Sequence, residues 1–144
     1  MAGHRLFARR RDGRIEVRLN VTGRAVAREA FGRVVVAERD ANHEWHAGLN
    51  APIDPSSDAD DPLSMLNRQN EISTNAELAF MTLQDDFLNE AEAWAWLSTL
   101  QIALRSTAVA RGLLTEEKLN ACDAELLEYI HTLQQFLFAL AECL

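Results

Sequence analysis

Between Arg14 and Asn20 the chain alternates strictly: Ile15, Val17 and Leu19 fall on one face, and Arg14, Glu16, Arg18 and Asn20 on the other. A period of two is that of a half-buried β-strand, whose successive side chains point to opposite faces. Leu6-Phe7-Ala8 precedes it, and the intervening Asp12-Gly13 is a tight-turn signal because both residue types tolerate positive φ. Together these features predict an N-terminal β-hairpin over residues 5–20.

Beyond the hairpin the period lengthens to that of a helix. Thr22 is a candidate N-cap for a helix whose inner face is Val26, Ala27, Ala30, Phe31, Val34 and Ala37, although the β-branched run Val34-Val35-Val36 favours helix less. Residues 41–61 hold two prolines and five acids without periodicity and read as a surface loop. Asp61-Pro62 then has the form of an N-cap followed by proline in the first helical position. Helices are predicted over 62–72, over 76–88 with Asn75 as cap, and over 90–110 with Asn89 as cap and Glu90 and Glu92 in the first turn. Gly112 ends the third of these, and Thr115 starts a last helix running to residue 144.

That last segment is the most regular. Leu119, Leu126, Leu133 and Leu140 recur every seven residues, Cys122, Tyr129, Phe136 and Cys143 form a second row, and Ile130, Leu137 and Leu144 widen the stripe. A stripe this broad is that of a helix packed within its own bundle; a homodimer seam through Leu119, Leu126, Tyr129, Leu133, Phe136 and Leu140 is the alternative. The expected fold class is α+β, mostly α, with an N-terminal β-hairpin packed on four to five helices. A chain of 144 residues fits one domain, divided into a basic hairpin plus helix (1–40), an acidic loop (41–61) and a helical bundle (62–144).

Composition supports folding: 48% of residues are hydrophobic and 25% charged, too apolar for a chain disordered throughout. Charge is unevenly placed. Residues 1–39 carry ten arginines against Asp12, Glu16, Glu29 and Glu38, whereas residues 40–144 hold four basic and eighteen acidic groups. Such asymmetry fits attraction between two parts of one protein, an acidic partner at the basic end, or a nucleic-acid contact. The hairpin arginines Arg9, Arg10, Arg11, Arg14 and Arg18 are the basic-patch candidates; no recognition helix or aromatic interleaving accompanies them, so nucleic acid is not favoured. No apolar run approaches the roughly 18 residues of a membrane span, and the first residues lack a signal peptide's apolar core, so the expected location is the cytoplasm.

Catalytic motifs are absent: there is no GxSxG, P-loop or GxGxxG. Asp85, Asp86, Glu90 and Glu92, and Asp58, Asp60 and Asp61, are carboxylate clusters of the sort hydrolases use, but they fall at helix ends or in the loop, where acids are ordinary. His43-Glu44-Trp45-His46 is a weak metal signal, short of the four ligands of a structural zinc site. The reading is non-enzymatic, with no cofactor and no metal. Cys122 and Cys143 are the redox candidates; on one straight helix they stand about 31 Å apart, against the roughly 7 Å a disulfide allows. They can pair only across copies, as in an oxidised parallel dimer; otherwise both are small buried hydrophobes. Trp94 and Trp96 point to nearly opposite sides of their helix, so one is expected in the core and the other at a contact surface.

The run from Phe7 to Leu19, the helix after it, Asp60-Asp61-Pro62, and Trp96 to Arg105 followed by the final helix resemble an actinobacterial family of small proteins encoded beside the gene for the proteolytic adaptor ClpS. Members of that family are described as redox-responsive transcriptional regulators acting with a sigma factor. The resemblance implies a cytoplasmic, stress-linked, non-enzymatic regulator working through a protein partner; a homodimer is expected only from the last helix's stripe and its cysteines.

Overall fold

The computed structural model describes residues 6–40, 62–111 and 124–144. Strand β1 (Phe7–Arg9) pairs antiparallel with β2 (Ile15–Val17), aligning Phe7 with Val17 and Arg9 with Ile15. The reversal is closed by Arg10 and Arg14, whose N–H and C=O meet at 2.8 Å, and by the Gly13 N–H donating to the Arg10 carbonyl at 3.0 Å. Gly13 has φ +90°, a left-handed conformation that side chains rarely adopt. Glycine is therefore required at this corner.

Helix α1 spans Val21–Arg39, and its cap is Asn20 rather than Thr22: extended backbone at Asn20 lets its side-chain oxygen accept the Gly23 N–H at 2.7 Å. Its inner face is as the spacing predicts, with Ala27, Ala30, Phe31, Val34 and Ala37 buried, while Val26 is only half-buried. The valine run stays helical because Val34 faces the core and Val36 faces out, each in a place its shape fits.

Helix α2 (Pro62–Met81) is one continuous element where two were expected. Asn75 does not cap a second helix but sits inside α2, where no glycine or proline interrupts the chain and Ala76 and Ala79 are buried one after the other on the inner side. The helix also stops early. After Met81 the chain tightens, with the Leu83 N–H reaching the Phe80 carbonyl and the Asp85 N–H the Thr82 carbonyl. Residues predicted as the end of a helix instead form strand β3 (Phe87–Leu88), which extends the hairpin to a sheet of order β1-β2-β3, with Leu88 beside Ile15 and Phe87 beside Glu16.

Asn89 caps helix α3 (Glu90–Arg111) in a reciprocal capping box: its side chain accepts the Glu92 N–H, and the Glu92 carboxylate accepts the Asn89 N–H, both at 2.8 Å. The last helix described, α4, runs Ala124–Cys143. Helix α3 is central and packs on α1, α2 and α4, while α4 also packs on β1. The fold is α+β and mostly α, with an antiparallel three-stranded sheet and four helices among the described residues.

Trp96 organises the core. Its ring stands edge-on to Phe7 of β1 and Phe31 of α1, at centroid distances of 6.0 and 5.1 Å, joining sheet and helices in one cluster. Its indole N–H donates to the Thr82 hydroxyl at 2.7 Å, and that hydroxyl donates in turn to the Leu78 carbonyl at 2.9 Å. A buried donor is thereby satisfied at the point where α2 ends.

Candidate functional site

The pleat of β2 sends Ile15 and Val17 inward, which leaves Arg14, Glu16 and Arg18 on the outer face. Arg9, Arg10, Arg11 and Arg14 gather around the hairpin turn and line a groove of about 460 Å³ together with Asp12 and Phe87. The Arg14 guanidinium lies 4.6 Å from the centroid of the Phe87 ring, a cation–π contact. The expectation that no aromatic accompanies these arginines is corrected by β3, because pairing Phe87 beside Glu16 carries a ring into the basic surface.

Among the described residues few acids balance this edge. Asp12 accepts the Arg14 backbone N–H at 3.0 Å and its Nε at 2.8 Å, and these hydrogen bonds, the backbone one first, hold the Asp12 carboxyl below its usual range. Glu16 pairs with Arg18 and, at 3.6 Å, with Arg10, and the hydrogen bond from Arg18 is the main cause that lowers its pKa. These are exposed pairs, worth little each. Arg9 donates to the Cys143 carbonyl at 3.2 Å, a cation placed at the negative end of the α4 dipole. Arg11 is exposed and has no partner among the described residues. Four of the five arginines thus surround the groove, while Arg18 lies at the far end of β2 and lines a different cleft.

The other candidates are dispersed. Cys143 is half-buried at the end of α4, its thiol directed to the Ala139 carbonyl at 3.6 Å; Cys122 and Leu119 lie outside the described residues, as do His43, His46, Asp58, Asp60 and Asp61. Of the proposed dimer seam, Leu133, Phe136 and Leu140 are buried in the protein's own core and cannot also face a partner, so that assignment is corrected. Leu126 and Tyr129 are half-buried on the same helix. Trp96 is the core tryptophan and Trp94, 47% exposed, is the outward one. Asp86 and Glu92 have structural duties, the first against Arg24 and the second in the α3 capping box. Among the described residues no group of three or more His, Cys, Asp or Glu is placed to hold a metal ion, and no helix is long and apolar enough to cross a membrane.

Three features were not visible in the sequence. Arg24, on the first turns of α1, is nearly enclosed and donates to the carbonyls of Leu83 at 2.6 Å, Asp85 at 3.1 Å, Val17 at 3.3 Å and Leu19 at 3.3 Å. It is a structural arginine that ties helix, strand and turn together. Phe80, Val36, Ala25 and Gly32 form a shallow apolar groove of about 470 Å³ between α1 and α2, edged by Arg28 and Arg33. The third is a cleft of about 780 Å³ between α1, α4 and the hairpin, lined in part by Tyr129. Such features depend on which helices become neighbours, which no local pattern encodes. No family model, curated protein or solved structure matches the chain.

Proposed function

We propose that this chain is a small, cytoplasmic, non-enzymatic regulatory protein whose arginine-lined hairpin edge holds an acidic segment of a protein partner. The observation that carries the reading is the gathering of Arg9, Arg10, Arg11 and Arg14 with Phe87 in one groove whose single carboxylate among the described residues is Asp12. Guanidinium groups form forked hydrogen bonds with carboxylates, and a half-exposed ring beside them offers an apolar contact between the charges. The exposed Trp94 and Met81 and the apolar groove at Phe80 add surfaces of the sort protein contacts use. The resemblance to the ClpS-neighbouring family supports a partner in the transcription machinery, such as a sigma factor.

Nucleic acid is the second reading, favoured by one observation, the Arg14–Phe87 pair, since arginine with an aromatic platform also suits unpaired bases. The two separate in one experiment. Fluorescence anisotropy is recorded with a labelled glutamate- and leucine-containing peptide and with a labelled single-stranded oligonucleotide, each across a salt series. Peptide binding that outlasts oligonucleotide binding at physiological salt supports the protein partner. Oligonucleotide binding with a log-log salt slope near about −3, for four phosphate contacts, supports nucleic acid. Absence of both overturns the hairpin edge as the functional surface.

A further inference from the structure

We propose that the cleft between the first half of α1, the start of α4 and the hairpin end binds a small amphipathic organic cation, an apolar body carrying one ammonium group. The cleft measures about 780 Å³, within the span of small-molecule pockets. Its inner wall is apolar: Leu19 and Phe136 are buried, and Leu6, Val26 and the ring of Tyr129 flank them half-buried. Its rim carries three carboxylates, Glu29 from α1 and Glu125 and Glu128 from α4.

Charge decides the class of occupant. Among the described residues Arg18 is the one guanidinium lining the cleft, and it is engaged by Glu16. Glu29 is partly neutralised by Arg33 at 2.7 Å, one turn along α1, and Glu125 in the first turn of α4 also complements that helix dipole. Glu128 is exposed, beyond the reach of that dipole, and forms no ion pair among the described residues. A small anion would meet this rim unfavourably, and a neutral ligand would leave Glu128 without a counter-charge. An ammonium group gains from Glu128 and from the neighbouring ring of Tyr129, while its apolar body covers Leu19, Val26 and Phe136. Among the described residues the rim is therefore opposite in sign to the arginine edge.

Tyr129 is the single tyrosine of the chain, so biosynthetic replacement of tyrosine by 3-fluorotyrosine places one fluorine resonance in the cleft wall. The labelled full chain is titrated with 3-phenylpropylamine, 3-phenylpropionate and 3-phenylpropanol, three probes of one shape and different charge. The expected result is a saturable shift with the amine, at about tenfold lower concentration than with the acid or the alcohol. Glu125→Gln with Glu128→Gln should reduce that preference to below about threefold. Thr22→Trp, an exposed substitution at the mouth, should remove the shift for all three probes. A resonance that does not move with the amine, equal responses to all three probes, or a preference unchanged in the double variant would overturn the proposal.

Discussion

Thr82 shows how one hydroxyl can serve two elements. It accepts the N–H of Trp96 and donates to a carbonyl of its own helix, so the largest core side chain is held without an unsatisfied donor. Replacing Thr82 by valine keeps the shape and removes the acceptor; urea unfolding should show a loss of about 1–3 kcal/mol, the cost of a buried donor left unpaired. Tyr129 has the opposite circumstance. Its hydroxyl is buried with no hydrogen-bond partner among the described residues, and burial pushes its pKa up to about 12. The neutral form is the one folding favours, so this contribution to stability is complete below pH 10, the ordinary value, and is lost as pH rises toward 12. Absorbance at 295 nm should show the single tyrosine ionising near pH 12 in the native chain and near pH 10 in denaturant; coincident curves would contradict its burial. Neither role could be read from a residue's identity, because the sequence places Thr82 and Tyr129 in helices without saying what stands opposite.

At the scale of elements, the patterns that were legible are those in which one local signal dominates. Strict alternation over residues 14–20 specifies β2, Asp12-Gly13 marks the corner that Gly13 turns with positive φ, and Asn89 is the expected cap of α3, to which the structure adds the return bond to Glu92. Where tertiary contacts compete with local preference the reading failed. Asn75 resembles a cap, yet continuous packing of Ala76 and Ala79 carries α2 through it. Phe87 and Leu88 fit a helical period, yet β2 offers an open edge, and Val17 donates to the Asp86 carbonyl at 2.8 Å to begin the pairing. Arg24 stabilises that junction from below. Lysine can carry the charge but not the planar fork that meets four carbonyls, so Arg24→Lys should lower stability by about 2–3 kcal/mol and loosen β3 first. Hydrogen exchange at the amide of Val17 would register that loosening.

Across the whole molecule, five of the arginines behind the uneven charge take three local roles. Arg9 meets the carboxyl end of α4, Arg24 is consumed inside the fold, and Arg10, Arg11 and Arg14 remain around a groove with Phe87. The asymmetry was legible in advance; the division of labour among the arginines was not, because it depends on the third strand and on where α4 ends. The heptad leucines likewise announced a packed helix, and the structure assigns Leu133 and Leu140 to the protein's own core. The central claim is that the groove arginines bind an acidic segment. Arg10 and Arg11 are the two to change, since both are exposed and neither supports the turn as Arg14 does through Asp12. The most direct measurement is the affinity of the wild type and of the Arg10→Ala, Arg11→Ala double variant for one acidic peptide, read by anisotropy at physiological salt. A loss of about tenfold or more with an unchanged melting temperature is the predicted result; equal affinity in the two proteins would contradict the account.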